Sequence, residues 1–131
     1  MVEVFRATDS VHTWVVTGHD ALDEIAVTGP TRVLELRGGE VREFEIDPSA
    51  HGIAIVGPDD LPGGDPAENA AVAAALFAGE ERGPARDIVV LNAAAGLIVA
   101  GVAEDLDAGI EAAGASIDDG AAAAVLEALR A

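Results

Sequence analysis

A chain of 131 residues, half of them apolar, can bury one core, so a single domain is the default reading. The net charge of −17, set against seven arginines and no lysine, repels nucleic acid phosphates and anionic lipid, and disfavours both as partners. The absence of cysteine excludes disulfides, thiolate metal sites and cysteine nucleophiles.

Glu3, Arg6 and Asp9 interrupt the first ten residues, so no apolar signal-peptide core is present and a cytoplasmic location is expected. Val2 to Ala7 reads as the tail of a short helix, and the chain is expected to enter its domain part-way. Val11 to Val16 is a β-branched and aromatic run that predicts a buried strand, followed by the loop His19-Asp20-Ala21-Leu22-Asp23-Glu24. Thr31–Leu36 and Val41–Ile46 alternate apolar with polar residues around Gly38-Gly39, which predicts a tight hairpin. After a loop-rich stretch, Asp65 is placed to cap a helix with Pro66 in its first turn, running to about Ala78. Pro84 opens a second helix that continues to about Gly101, and Asp105 and Asp118 are read as the starts of two more. The apolar run Ile88–Ala103 is shorter than the roughly 20 residues a bilayer core needs and contains Asn92, so it predicts a buried helix. No repeat or low-complexity linker divides the chain. Self-repulsion among so many acids also suggests a protein suited to high ionic strength and a halophilic source, as against an ordinary acidic protein.

The adjacent carboxylates Asp23-Glu24, on a loop just past a strand, form a hard oxygen site. Magnesium commonly takes one or two protein carboxylates together with water and substrate phosphate oxygens, so the pair suits a metal-pyrophosphate clamp better than a closed cage. On spacing alone solvated loop charge is the commoner explanation of such a pair, since Asp59-Asp60, Glu80-Glu81, Glu104-Asp105 and Asp118-Asp119 also occur. Gly63-Gly64-Asp65 ahead of a helix invites a phosphate-loop reading, but Asp65 sets a negative charge there and helix capping explains the same residues. His12, His19 and His51 lack metal-ligand spacing and are read as surface or packing residues. Asn92 is read as a buried amide bonded to neighbouring backbone, and Arg86 as a partner of Asp87 or Glu81.

The segment Val15-Val16-Thr17-Gly18-His19-Asp20-Ala21-Leu22-Asp23-Glu24 resembles the Val-Val-His-Gly-x-Asp-Gly-Leu-Asp-Glu signature of the anthranilate phosphoribosyltransferase family, with Thr17 and Ala21 as departures. Further similarity follows in the family's order: Gly29-Pro30-Thr31, the hairpin ending at Asp47-Pro48, the run Leu61 to Ala70, and Arg86-Asp87 followed by Leu91-Asn92-Ala93-Ala94. The resemblance implies an α/β fold: the C-terminal part of the phosphoribosyltransferase and nucleoside phosphorylase catalytic domain, a few strands including a hairpin followed by about four helices, as a single partial domain over residues 1–131. It implies that Asp23 and Glu24 bind the Mg2+ accompanying phosphoribosyl pyrophosphate, for transfer of phosphoribose to anthranilate in tryptophan biosynthesis. No catalytic residue is assigned. The family's Gly-Thr-Gly-Gly-Asp diphosphate loop, its Asn-x-Ser-Thr and Lys-His-Gly-Asn segments, its anthranilate-binding arginine and its helical dimer-forming domain all precede this region. The isolated chain is therefore expected to be inactive, with an N-terminal complement chain or a homodimer as possible partners. The alternative is a non-catalytic binding or scaffold module that retains the fold.

Overall fold

The computed structural model describes residues 1–61 and 63–130, the side chain of Asp20 excepted, and contains a three-stranded antiparallel sheet and five α-helices. Helix α1 (Val2–Ala7) leads into strand β1 (His12–Thr17), one residue later than the sequence suggested. Strands β2 (Thr31–Arg37) and β3 (Glu40–Ile46) form the hairpin, and the sheet order is β1-β2-β3. Gly38 and Gly39 have φ of +58° and +84°, the left-handed backbone that a two-residue hairpin turn demands and that glycine adopts without a side-chain clash.

Four helices follow: α2 (Pro66–Phe77), α3 (Pro84–Val99), α4 (Leu106–Asp118) and α5 (Ala121–Arg130). Asp65 caps α2 as expected, accepting from Ala67 N–H and Glu68 N–H, while the Glu68 carboxylate accepts from Asp65 N–H. Asp105 caps α4 in the same way, through Ala108 N–H. Asp118 does not start a helix: it is the last residue of α4, which stops because Gly120 turns left-handed at φ +77°. Its carboxylate instead takes Arg86 at 3.0 Å and Arg82 at 3.2 Å, so the expected pairing of Arg86 with Asp87 or Glu81 gives way to one between helices. No helix among the described residues is long and apolar enough to cross a membrane.

One face of the sheet carries Val16, Val33, Phe44 and Ile46, which pack with Ile25, Val27, Ile53, Leu91, Ala94 and Leu106 into the main core. A second cluster, Leu76, Val90, Ala113 and Ile117, joins α2, α3 and α4. Helices α3 and α4 cross closely at Gly109, where an added Cβ would lie 2.9 Å from the Ala94 Cβ.

Along the same sheet face, beyond the apolar core, lies a polar cluster. Glu35 on β2 is 2% exposed, and the strand's alternation places it on the same face as the buried Thr31 and Val33. Trp14 Nε1 donates to its Oε1 at 2.8 Å, His12 Nε2 lies 2.8 Å from the same oxygen, and Arg42 Nε donates to Oε2. The register sets Trp14 and Arg42 directly opposite Glu35 on either side, which is why these side chains meet. Burial alone pushes the Glu35 carboxyl up, but the hydrogen bonds from Arg42, Trp14 and His12, with the Arg42 charge, outweigh it and hold the carboxyl at about 2.

Candidate functional site

The acidic pair sits at the end of a tight loop. After β1, Gly18 N–H donates to Leu22 O at 2.9 Å and closes a short helical turn, His19–Ala21. Asp23 and Glu24 follow, both exposed, and among the described residues neither carboxylate enters an ion pair or accepts a hydrogen bond. Immediately after them the chain enters the core: Ile25, Ala26 and Val27 are 1%, 0% and 0% exposed.

Because Ile25–Val27 is not a strand, its buried backbone must be satisfied in other ways. Ile25 N–H donates to Asn92 Oδ1 at 2.8 Å, and Asn92 Nδ2 donates back to Ile25 O at 2.8 Å. Ala26 N–H donates to the buried Thr31 hydroxyl at 2.9 Å, and Val27 O accepts from Val56 N–H at 3.1 Å. The loop is thus pinned from α3, from β2 and from the segment before α2.

Two glycines make the turn possible by close approach. A Cβ on Gly18 would lie 2.4 Å from Glu24 O, and one on Gly29 would lie 2.7 Å from the His19 ring. Ala21 is different. Its φ of +61° is left-handed, so the methyl group that replaces the signature's glycine is strained there. Ala21→Gly is expected to stabilise the chain by about 1 kcal/mol, offset in part by the greater freedom of the unfolded glycine, and thermal unfolding should register a rise of a few degrees.

Two adjacent carboxylates fit magnesium as a partial, open set of donors. Among the described residues no group of three or more His, Asp or Glu side chains converges on a point, so an enclosed protein cage is absent and water and phosphate oxygens would complete the coordination. Glu24 also lines a groove of about 880 Å3, whose walls include Leu22, Val72, Leu76 and Ile88. Members of the other acidic pairs have partners of their own: Asp118 is committed to two arginines and Asp105 to capping, while Asp60 and Glu81, which line the same groove as Glu24, accept from Gly57 N–H and Gly83 N–H. Gly63-Gly64-Asp65 forms a helix cap, as capping chemistry predicts, while Pro62 of the neighbouring motif lies outside the described residues. His12 and His51 are bonded to Glu35 and Asp107. Six of the seven arginines are ion-paired within the chain, so few cations remain to hold a phosphate. Sequence reading missed the reach of Asn92 to Ile25; a lone polar residue in an apolar helix was the available signal.

Residues 1–123 match the family model described as the glycosyl transferase family, a/b domain. The chain is 54% identical over 126 residues to an anthranilate phosphoribosyltransferase of Paramagnetospirillum magneticum, covering 96% of this chain and 36% of that protein. It is 47% identical over 129 residues to one of Methylobacterium nodulans, covering 98% of this chain and 38% of that protein. It therefore spans little more than a third of the length of these relatives. Among solved structures, anthranilate phosphoribosyltransferase from Thermus thermophilus is similar at a TM-score of 0.80 and 36% identity, over 92% of this chain and 36% of that one. The Saccharomyces cerevisiae enzyme in complex with PRPP and Mg is similar at a TM-score of 0.81 and 26% identity, over 88% of this chain and 33% of that one. The resemblance read from the motifs and the mixed α/β fold it implied are both borne out.

Proposed function

Because this chain belongs to the glycosyl transferase family, a/b domain, we propose that it supplies the Asp23-Glu24 magnesium site of an anthranilate phosphoribosyltransferase of tryptophan biosynthesis. The observation that carries the reading is the exposed, unpaired carboxylate pair fixed between the loop closed at Gly18 and the buried segment Ile25–Val27. Transfer joins the anthranilate amine nitrogen to the ribose carbon as that carbon's bond to pyrophosphate breaks. Magnesium, when bound, neutralises charge growing on the departing pyrophosphate. The carboxylates of Asp23 and Glu24 would hold the cation, and their placement on a pinned loop keeps the arrangement from reorganising during the step.

The remaining groups belong to the part of the relatives this chain does not match, whether on the same polypeptide or on a partner. The apolar groove beside Glu24 suits such a partner, since Val72 and Val89 on its walls are 45% and 38% exposed. The chain's own arginines are largely neutralised by its own acids, so the cations that hold phosphate belong to that unmatched part. Alone, the chain should not turn over.

The test mixes the purified chain, at high salt with magnesium, with a separately expressed N-terminal portion of a related enzyme, and follows loss of anthranilate fluorescence after phosphoribosyl pyrophosphate is added. Activity should appear in the mixture only, and Asp23→Ala should lower it by about a hundredfold or more. A mixture that associates but stays inactive sinks the reading and leaves a binding module.

A further inference from the structure

We infer that Asn92 is a positioning residue for the acidic pair: its amide, reaching from α3 to the backbone of Ile25, holds Glu24 and Asp23 where a cation can be shared between them. The inference rests on the magnesium reading above and adds to it a residue 67 positions beyond Ile25 in sequence.

The geometry is specific. Asn92 Oδ1 accepts from Ile25 N–H at 2.8 Å, and Nδ2 donates to Ile25 O at 2.8 Å and to Ile88 O at 2.9 Å. Both amide hydrogens are used, and turning the amide over would set N–H against N–H and carbonyl against carbonyl, so the bonding network fixes its orientation. Asn92 thereby offers Ile25 the donor and acceptor that a neighbouring strand would have offered. The third bond, to the carbonyl one turn earlier in α3, ties the amide to its own helix, and that helix is held in the core by the fully buried Leu91 and Ala94.

The anchor acts at the right place. Ile25 is joined to Glu24 by one peptide unit, and among the described residues neither acidic side chain has a bond of its own to hold it. Their relative position is therefore set by backbone, and on the C-terminal side of the pair the nearest fixed backbone is at Ile25. On the other side of the pair the loop is closed by its internal bonds, from Gly18 N–H to Leu22 O and from Leu22 N–H to His19 O. Loss of the amide would leave Ile25 N–H and O without partners in the core, and the cheapest relief is for the segment to shift outward towards water, carrying Glu24 with it.

The experiment uses the 15N-labelled chain, with Mn2+ as the probe for the site, and reads amide line broadening residue by residue so that the other acidic pairs serve as internal references. In the wild type, Asp23 and Glu24 should broaden at lower Mn2+ than Asp118 and Asp119. In Asn92→Leu, which keeps side-chain size, the concentration giving half-broadening at Asp23 and Glu24 should rise about tenfold while the rest of the spectrum stays native. Ile98→Ala, which removes core packing from the same helix without touching the loop, should leave it unchanged. Equal half-broadening in the wild type and Asn92→Leu overturns the inference, as does an equal rise in Ile98→Ala, which would tie the loss to stability alone. A wild type with no selective broadening at residues 23 and 24 instead removes the magnesium reading and the inference with it. Should Asn92→Leu not fold, Asn92→Ser and the wild-type Ile25 amide decide: that amide should exchange with solvent as slowly as those of α3, and fast exchange there refutes the anchor.

Discussion

Glu35→Ala is expected to cost about 3 kcal/mol and to lower the midpoint of thermal unfolding by roughly 10 °C. The loss comes from what the carboxylate leaves behind. Trp14 Nε1 and the largely buried His12 ring would face a dry sheet surface without an acceptor, whereas Arg42, largely exposed, can turn to water. Glu35→Gln should cost less, because its carbonyl can still accept from Trp14. The ion pair also sets a pH dependence. The folded carboxyl titrates near 2, below its ordinary 4.5, so its contribution is present in full above about pH 4.5 and drains away as the pH falls towards 2. Urea unfolding across that range should show the gap between wild type and Glu35→Gln closing as acid is added. A gap that stays constant would mean the charge on Glu35 contributes nothing.

Gly18→Ala should damage the site more directly. The backbone of Gly18, at φ −71° and ψ 170°, suits any residue, so conformational freedom is not why glycine stands there. Space is the reason: a methyl group would sit 2.4 Å from Glu24 O, 3.1 Å from Leu22 Cβ and 3.2 Å from Ala26 Cβ. Backbone on one side and core on the other leave only one escape, an outward movement of the loop that carries Asp23 and Glu24. The variant should lose about 3 kcal/mol of stability, at the upper end of overpacking costs, and show amide shifts concentrated in residues 18–26. Wild-type stability with an unmoved loop would mean that the turn is looser than its contacts imply.

Much of this architecture can be read from sequence because local chemistry fixes it. Gly38-Gly39 dictates a two-residue turn, Asp65-Pro66 with Glu68 dictates a helix start, and the runs between them have the periodicity of the elements they form. The acidic pair could be singled out by its motif, although five such pairs occur and spacing does not separate them. What stayed hidden depends on partners distant in sequence. The burial of Glu35 depends on the register that brings Trp14 and Arg42 to either side of it, which no local pattern announces. Ile25-Ala26-Val27 is too short to announce a buried segment, and its supports come from Asn92, Thr31 and Val56. Asp118 has the look of a helix cap because Asp-Asp-Gly suits a start as well as a stop; Gly120 decides for the stop. The Ala21 departure is visible in the motif, but only the left-handed backbone explains why glycine belongs there.

The sheet itself has two unlike borders. Strand β3 presents Glu40, Arg42, Glu43 and Glu45, whereas β1 reads His-Thr-Trp-Val-Val-Thr and has a strand neighbour on one side only among the described residues. Charge along a border discourages a stray strand from adding to it, and β1 has no charge of that kind. Protection of β1 therefore falls to the long-range repulsion between whole molecules of charge −17, which added salt weakens. The salt that relaxes the chain's internal repulsion also weakens what keeps two such borders apart, so added salt is expected to favour association through β1, and covering β1 would remove that tendency.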